Sequence, residues 1–308
     1  VNRANLVKRL IFAAWAIPVG WLVINSNFSL IPPALADSIF SVPNTRLLPG
    51  HLCALLLVFL GAAEYLRMLS TAFPKNGFWL AYIWLALQMG SYFEPMISLN
   101  TRLDIFILFM IVAAEAIIWG RHSGRWRRAS MLFSGTAFLS IAGSYMLAFY
   151  AEPFQSVFSS RFSVPLASQM GIVTVFAAIF MCDTAAFFVG STIGKHRFSS
   201  ISPKKTVEGS VAGLVTAVIV ATLGWSFLSA PMSREKYSLA FGIVLGLIIG
   251  IFAQIGDLVV STMKRYFRVK DASDLIPGHG GVLDRFDSVF FTVPVVHLFI
   301  SIVTRIVP

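Results

Sequence analysis

Charged side chains are scarce in this chain. They make up 12% of its 308 residues, against roughly 25% in a water-soluble domain. Cysteine is scarcer still. The two present, Cys53 and Cys182, both lie in apolar runs, which excludes a disulfide framework and argues against a zinc-thiolate cluster. Internal repeats, low-complexity tails and a long polar stretch that could fold as a separate soluble domain are also missing. What fills the chain instead is apolar: 57% of its residues, with a mean hydropathy of +0.79. That composition, distributed over repeated apolar runs, predicts an all-α integral membrane protein.

The runs cover approximately residues 10–23, 47–66, 78–96, 103–119, 129–150, 164–188, 211–230, 239–260 and 289–307, which predicts nine transmembrane helices. The first run follows Arg3, Lys8 and Arg9 and imitates a secretory leader, with Ala34-Leu35-Ala36 as a cleavage-like site. That site lies about a dozen residues past the run, too far for cleavage, so the run is read as an anchoring span. Loop charge tests the count independently of hydropathy. With the N-terminus cytoplasmic, 18 of the 24 Lys and Arg residues fall in inside loops. The positive-inside rule therefore supports nine spans with the C-terminus outside. The same rule accounts for the formal charge of +10, so nucleic-acid binding is not expected. By span order the chain divides into four N-terminal spans (1–128), middle spans (129–188) and a C-terminal region with cytoplasmic loops and three spans (189–308).

Two polar stretches interrupt the apolar pattern of the C-terminal half. The first includes Gly190, Gly194, Lys195, His196 and Arg197, then Ser202-Pro203-Lys204-Lys205-Thr206. Adjacent lysines flanked by hydroxyls suit phosphate oxygens, lysine as a point charge and Ser or Thr as neutral donors. A basic loop attracted to anionic lipid is the simpler alternative. The second stretch, Ser261–Asp287, gathers Lys264, Arg265, Arg268, Lys270 and Arg285 with Asp271, Asp274, Asp284, Asp287, His279 and the pair Gly280-Gly281. Basic groups beside aspartates, with glycines where a backbone or a phosphate must come close, are the composition for holding phosphates with a divalent metal. A solvated connecting loop is the alternative.

Carboxylates at the ends of spans sharpen this reading, because an ionised group in a membrane needs a task or a partner. Asp183 and Asp257 lie near the cytoplasmic ends of their spans, and Asp257, Ser261 and Lys264 fall on one helical face. Asp284 and Asp287 are three apart where the last helix begins, a position whose free amides favour anions. Asp257, Asp284 and Asp287 are thus candidate ligands for magnesium, since oxygen-only donors suit it better than zinc. Alternatively, Asp284 and Asp287 cap the helix and pair with Arg285 or Lys264. Glu115, in the middle of the fourth run, has no assigned role.

The pattern Ser261-x-x-Lys264-Arg265, Lys270-Asp271, Pro277-x-His279-Gly280-Gly281, Asp284-Arg285-x-Asp287 resembles the hallmark of the CDP-diacylglycerol synthase (phosphatidate cytidylyltransferase) family. Asp183-Thr184, Gly190, Gly194-Lys195, Ser202 to Thr206 and Glu208-Gly209 resemble its second segment, with Ala185 and Ala212 where glycine is common. The resemblance covers the C-terminal half. It implies CTP and phosphatidate as substrates and CDP-diacylglycerol and pyrophosphate as products, at the cytoplasmic face of the inner (plasma) membrane among its lipids. It further implies Mg2+, with room for a second cation, on Asp257, Asp284 and Asp287. Lys264, Arg265, Lys270, Asp271, His279 and Arg285 become the expected catalytic set. Ser202, Lys204, Lys205, Thr206, Ser261, Gly280 and Gly281 become the expected substrate-binding set. A homodimer is compatible with the resemblance. Two other readings stay open: a CTP-dependent lipid kinase of the prenol type, releasing CDP, and an ion-coupled transporter using the acidic residues of its spans.

Overall fold

A computed structural model describes residues 49–72, 125–151, 164–199, 202, 205–229, 235–276 and 280–306. These form six α-helices: α1 (Pro49–Ala72), α2 (Arg125–Ala151), α3 (Val164–Ile193), α4 (Val207–Ser229), α5 (Glu235–Tyr266) and α6 (Leu283–Ile306). Among the described residues there is no strand, only isolated bridges pairing Arg197 with Thr206 and Ile276 with Gly280. All except α2 contain a segment long and apolar enough to cross a membrane, giving five candidate spans. The expected spans at 10–23, 78–96 and 103–119 lie outside the described residues, as does Glu115.

The chain divides into two compact units. One takes in Val1–Leu147 and Phe267–Arg285. Its core is Val58, Ala62, Tyr65 and Leu69 of α1 with Leu139, Ala142 and Met146 of α2, all buried. Tyr65 joins the two helices: its hydroxyl donates to the Met131 carbonyl at 2.5 Å, and Gly135 leaves room for its ring. That ring also forms a T-shaped pair with Phe267, with centroids 6.2 Å apart.

The other unit takes in Ala148–Tyr266 and Phe286–Pro308. Water cannot satisfy backbone groups within a bilayer, so each span is helical. Helices then associate through small residues that let backbones come close. On α5, Gly242, Gly246 and Gly250 recur every four residues and so form one stripe; they meet Thr222, Val218 and Leu214 of α4 in turn. The descending partner numbers fix the pair as antiparallel. A neighbouring side of α4, with Val207, Val211, Val215, Ile219 and Leu223, is exposed, as expected of a lipid-facing stripe. Gly246→Val should therefore destabilise this unit by about 1–3 kcal/mol, since a Cβ there would collide with the Val218 backbone. Ile219→Val, on the exposed face, should leave thermal unfolding in detergent unchanged.

With 32 residues, α5 is about 48 Å long at 1.5 Å per residue. That exceeds the hydrocarbon core of about 30 Å, so α5 is longer than a span standing across the bilayer requires. Lys264 and Arg265 occupy its last turn, where positive charge complements the helix dipole. Arg268 then turns the chain away with φ of 57°.

Candidate functional site

The loop between α3 and α4 is a small closed hairpin. Val207 N–H donates to the His196 carbonyl at 2.9 Å, Phe198 N–H to the Lys205 carbonyl at 2.8 Å, and Lys205 N–H to the Ser202 carbonyl at 3.0 Å. Thr206 ends it as the N-cap of α4, its Oγ1 accepting from Gly209 N–H at 3.2 Å. Such a cap contributes about 1 kcal/mol. Gly190, Gly194 and Gly209 surround the Thr206 side chain so closely that a Cβ at any of them would crowd or strike it. His196 Nδ1 lies 2.6 Å from Glu208 Oε1, a second tie between loop and helix. The Gly-x-x-x-Gly-Lys and Thr-x-Glu-Gly strings are thus tied together by these contacts. Their product is the placement of Lys205.

Lys205 Nζ stands 2.5 Å from Asp257 Oδ2. Asp257 also accepts from Ser261 Oγ, one turn later on α5, at 3.1 Å, so Asp257 and Ser261 do share a helical face. Gly256, beside Asp257, lets α5 approach α6 closely: a Cβ there would lie 2.7 Å from Phe291 Cβ and 2.8 Å from the Asp287 carbonyl. Asp287 is buried, with 7% of its surface exposed, and accepts from Ser288 N–H at 2.7 Å. Ser288 Oγ lies 3.0 Å from Asp183 Oδ2, to which it donates. Asp257, Asp183 and Lys264 all act electrostatically on Asp287. Three carboxylates from three helices therefore share one field with two lysines. Like charges so placed need cations to remain ionised together.

In the other unit, two carboxylates close the base of the motif loop. Asp284 Oδ2 accepts from Ala272 N–H at 2.8 Å and Gly281 N–H at 2.9 Å. Glu64 of α1, with 4% of its surface exposed, takes three donors: Ser273 Oγ at 2.6 Å, Val282 N–H at 2.8 Å and Leu283 N–H at 2.7 Å. The amides that begin α6 are thus paired with protein carboxylates. Gly280 has φ of +86°, a conformation that favours glycine. Gly281 is glycine for another reason, because a Cβ there would strike the Glu64 carboxylate.

Of the expected site residues, the structure brings Lys205, Asp257, Ser261, Lys264 and Asp287 into one neighbourhood. Arg265 stands exposed on α5. Lys270, Asp271 and Arg285 are exposed in the other unit, which also holds Asp284. Lys204 and His279 lie outside the described residues. Among the described residues, no group of three His, Cys, Asp or Glu side chains is arranged to hold an ion. Apart from the Lys205 ammonium, the side-chain atoms nearest Asp257 are oxygens, and oxygen is the donor a hard divalent cation takes. Glu64, Ser273 and Ser288 are absent from the set expected from sequence. Glu64 carries the same signal as Glu115, an ionisable residue inside an apolar run; the two serines carry none.

The sequence profile of the cytidylyltransferase family matches residues 35–303. A phosphatidate cytidylyltransferase of Bacillus subtilis is 28% identical over 230 residues, 73% of this chain and 77% of that protein. One of Staphylococcus aureus is 39% identical over 210 residues, 62% of this chain and 77% of that protein. One of Synechocystis is 47% identical over 128 residues, and the chain spans 42% of its length. The profile runs through α1, the Lys205 hairpin, the Asp257 face and the motif loop alike, and on that span the chain belongs to the cytidylyltransferase family.

Proposed function

We propose that the protein transfers CMP from CTP to phosphatidate, giving CDP-diacylglycerol and pyrophosphate. The observation that carries this reading is the Lys205–Asp257 pair, joined by Ser261, Lys264, Asp183 and Asp287. A phosphate monoester carries close to two negative charges at neutral pH, so phosphatidate is already a nucleophile. One of its oxygens attacks the α-phosphorus in line. The bond from that phosphorus to the β-bridging oxygen breaks, and pyrophosphate departs with the electron pair. No proton need be removed from the nucleophile. The difficulty is repulsion between two anions, and lysines and arginines directed at the phosphates oppose it.

In this reading Ser202, Lys204 and Lys205 bind phosphate from the hairpin that Thr206 anchors. Lys264, Arg265, Lys270 and Arg285 neutralise phosphate charge, Asp271 orients these cations, and His279 steers the departing pyrophosphate. Ser261 orients Asp257, and Gly280 and Gly281 shape the turn before α6. Asp257 and Asp287 would hold Mg2+, with Asp284 joining them by its place in the motif and with room for a second cation. When bound, Mg2+ supplies charge neutralisation to the triphosphate. Nine spans, a cytoplasmic N-terminus, an outside C-terminus and the division 1–128, 129–188 and 189–308 complete the proposal. The site then faces the cytoplasm at the inner membrane, where a lipid and a nucleotide can both reach it.

The test is pyrophosphate release by the purified protein in detergent with CTP, Mg2+ and phosphatidate, each omitted in turn. Release that needs all three, with labelled CMP recovered in the lipid, is the expected result. CDP as product would favour the lipid kinase. Flux in proteoliposomes without CTP would favour the transporter.

A further inference from the structure

Glu64 is a buried carboxylate that the proposed chemistry does not use. It stands in an apolar helix, where an ionisable group is retained only with partners. Its three donors come from both ends of the motif loop: Ser273 on the entering side, Val282 and Leu283 on the leaving side. Asp284 repeats the arrangement with Ala272 and Gly281. Gly281 lacks a side chain where Glu64 needs the space. These features converge on one task. We infer that Glu64 is a positioning residue, which closes the base of the loop from residue 272 to 283 and so sets where α6 begins and where Asp284 stands.

The inference rests on the cytidylyltransferase reading of this loop. A carboxylate accepts hydrogen bonds on both oxygens, whereas a glutamine amide presents one acceptor and one donor. In Glu64→Gln at least one of the amides of Val282 and Leu283 would face an N–H group instead of an oxygen. The loop base opens, and the groups it carries lose their register. A displacement of about 1 Å at a catalytic group can cost about 100-fold in rate. A helix cap that served stability alone would lower the unfolding temperature and leave turnover per folded molecule unchanged.

The full chain in detergent serves for the test, as wild type, Glu64→Gln, Glu64→Asp and Ser273→Ala. Turnover of CTP and phosphatidate is measured together with amide hydrogen exchange. Glu64→Gln should lower kcat by about 100-fold with KM for CTP changed by less than about threefold. Exchange at Val282 and Leu283 should quicken while α3, α4 and α5 keep their protection. Glu64→Asp keeps the two acceptor oxygens and should regain part of kcat, and Ser273→Ala should lose about fivefold. Wild-type kcat in Glu64→Gln overturns the inference. So does a loss accompanied by faster exchange throughout α3, α4 and α5. If the wild type itself fails to transfer CMP, the functional reading falls, and exchange at Val282 and Leu283 alone decides the clamp: unchanged exchange in Glu64→Gln overturns it.

Discussion

Asp257→Asn is expected to lower CMP transfer by about 1,000-fold. Asparagine keeps the size of the side chain and one oxygen for Ser261, which now lies 3.1 Å from the carboxylate. What it loses is the charge opposite Lys205, whose Nζ is 2.5 Å away. Either the amide oxygen stays toward Ser261 and an NH2 faces the ammonium, or it turns to Lys205 and Ser261 loses its acceptor. In the first case Lys205 loses the contact that aims it, and in the second it keeps an oxygen but not the opposite charge. Lys205→Met tests the other half of the pair. Groups that act as one unit are not additive, so the double variant should lose no more than about threefold beyond Asp257→Asn alone. Turnover within tenfold of the wild type in Asp257→Asn, with the protein folded, would remove this pair from the mechanism.

Stripping divalent cations with EDTA is expected to lower activity by at least about 1,000-fold, and Mg2+ to restore it. Beside the Lys205 ammonium, the side-chain groups near Asp257 and Asp287 that could ligate an ion are oxygens of Asp183, Ser261 and Ser288. Zn2+ prefers sulfur and imidazole, so it should restore little. His196, the described histidine of the α3–α4 loop, is already engaged with Glu208. Binding of Mn2+, followed by its electron paramagnetic resonance signal, supplies a readout apart from turnover. Asp287→Asn should weaken that binding about tenfold or more. Full activity after exhaustive chelation would contradict the assignment of Asp257 and Asp287 as ligands.

Part of the site is legible in the amino-acid order because its signals are local. Asp257 and Ser261 are four apart on a helix, so their shared face follows from the helical period. The Lys204-Lys205 pair stands out by composition. The neighbours of Thr206 suggest a phosphate donor, yet its hydroxyl caps α4; Gly209, three residues on, is the cue that points to the cap. Glu64 shows a different limit. Its carboxylate meets Ser273, Val282 and Leu283 more than two hundred residues away, and no periodicity connects positions so distant.

The membrane-embedded helical class and the family follow from the chain's residues alone, because hydropathy and a motif of closely spaced residues are both properties of short stretches. The pairings belong to the fold: Lys205 with Asp257, Ser288 with Asp183, and Glu64 with the amides that begin α6. A buried carboxylate must find its donors wherever packing brings them, and packing depends on where glycines let helices close together. Gly256 brings α5 against α6 and Gly281 admits Glu64. In the sequence these are simply glycines; the neighbours that require them are supplied by the fold.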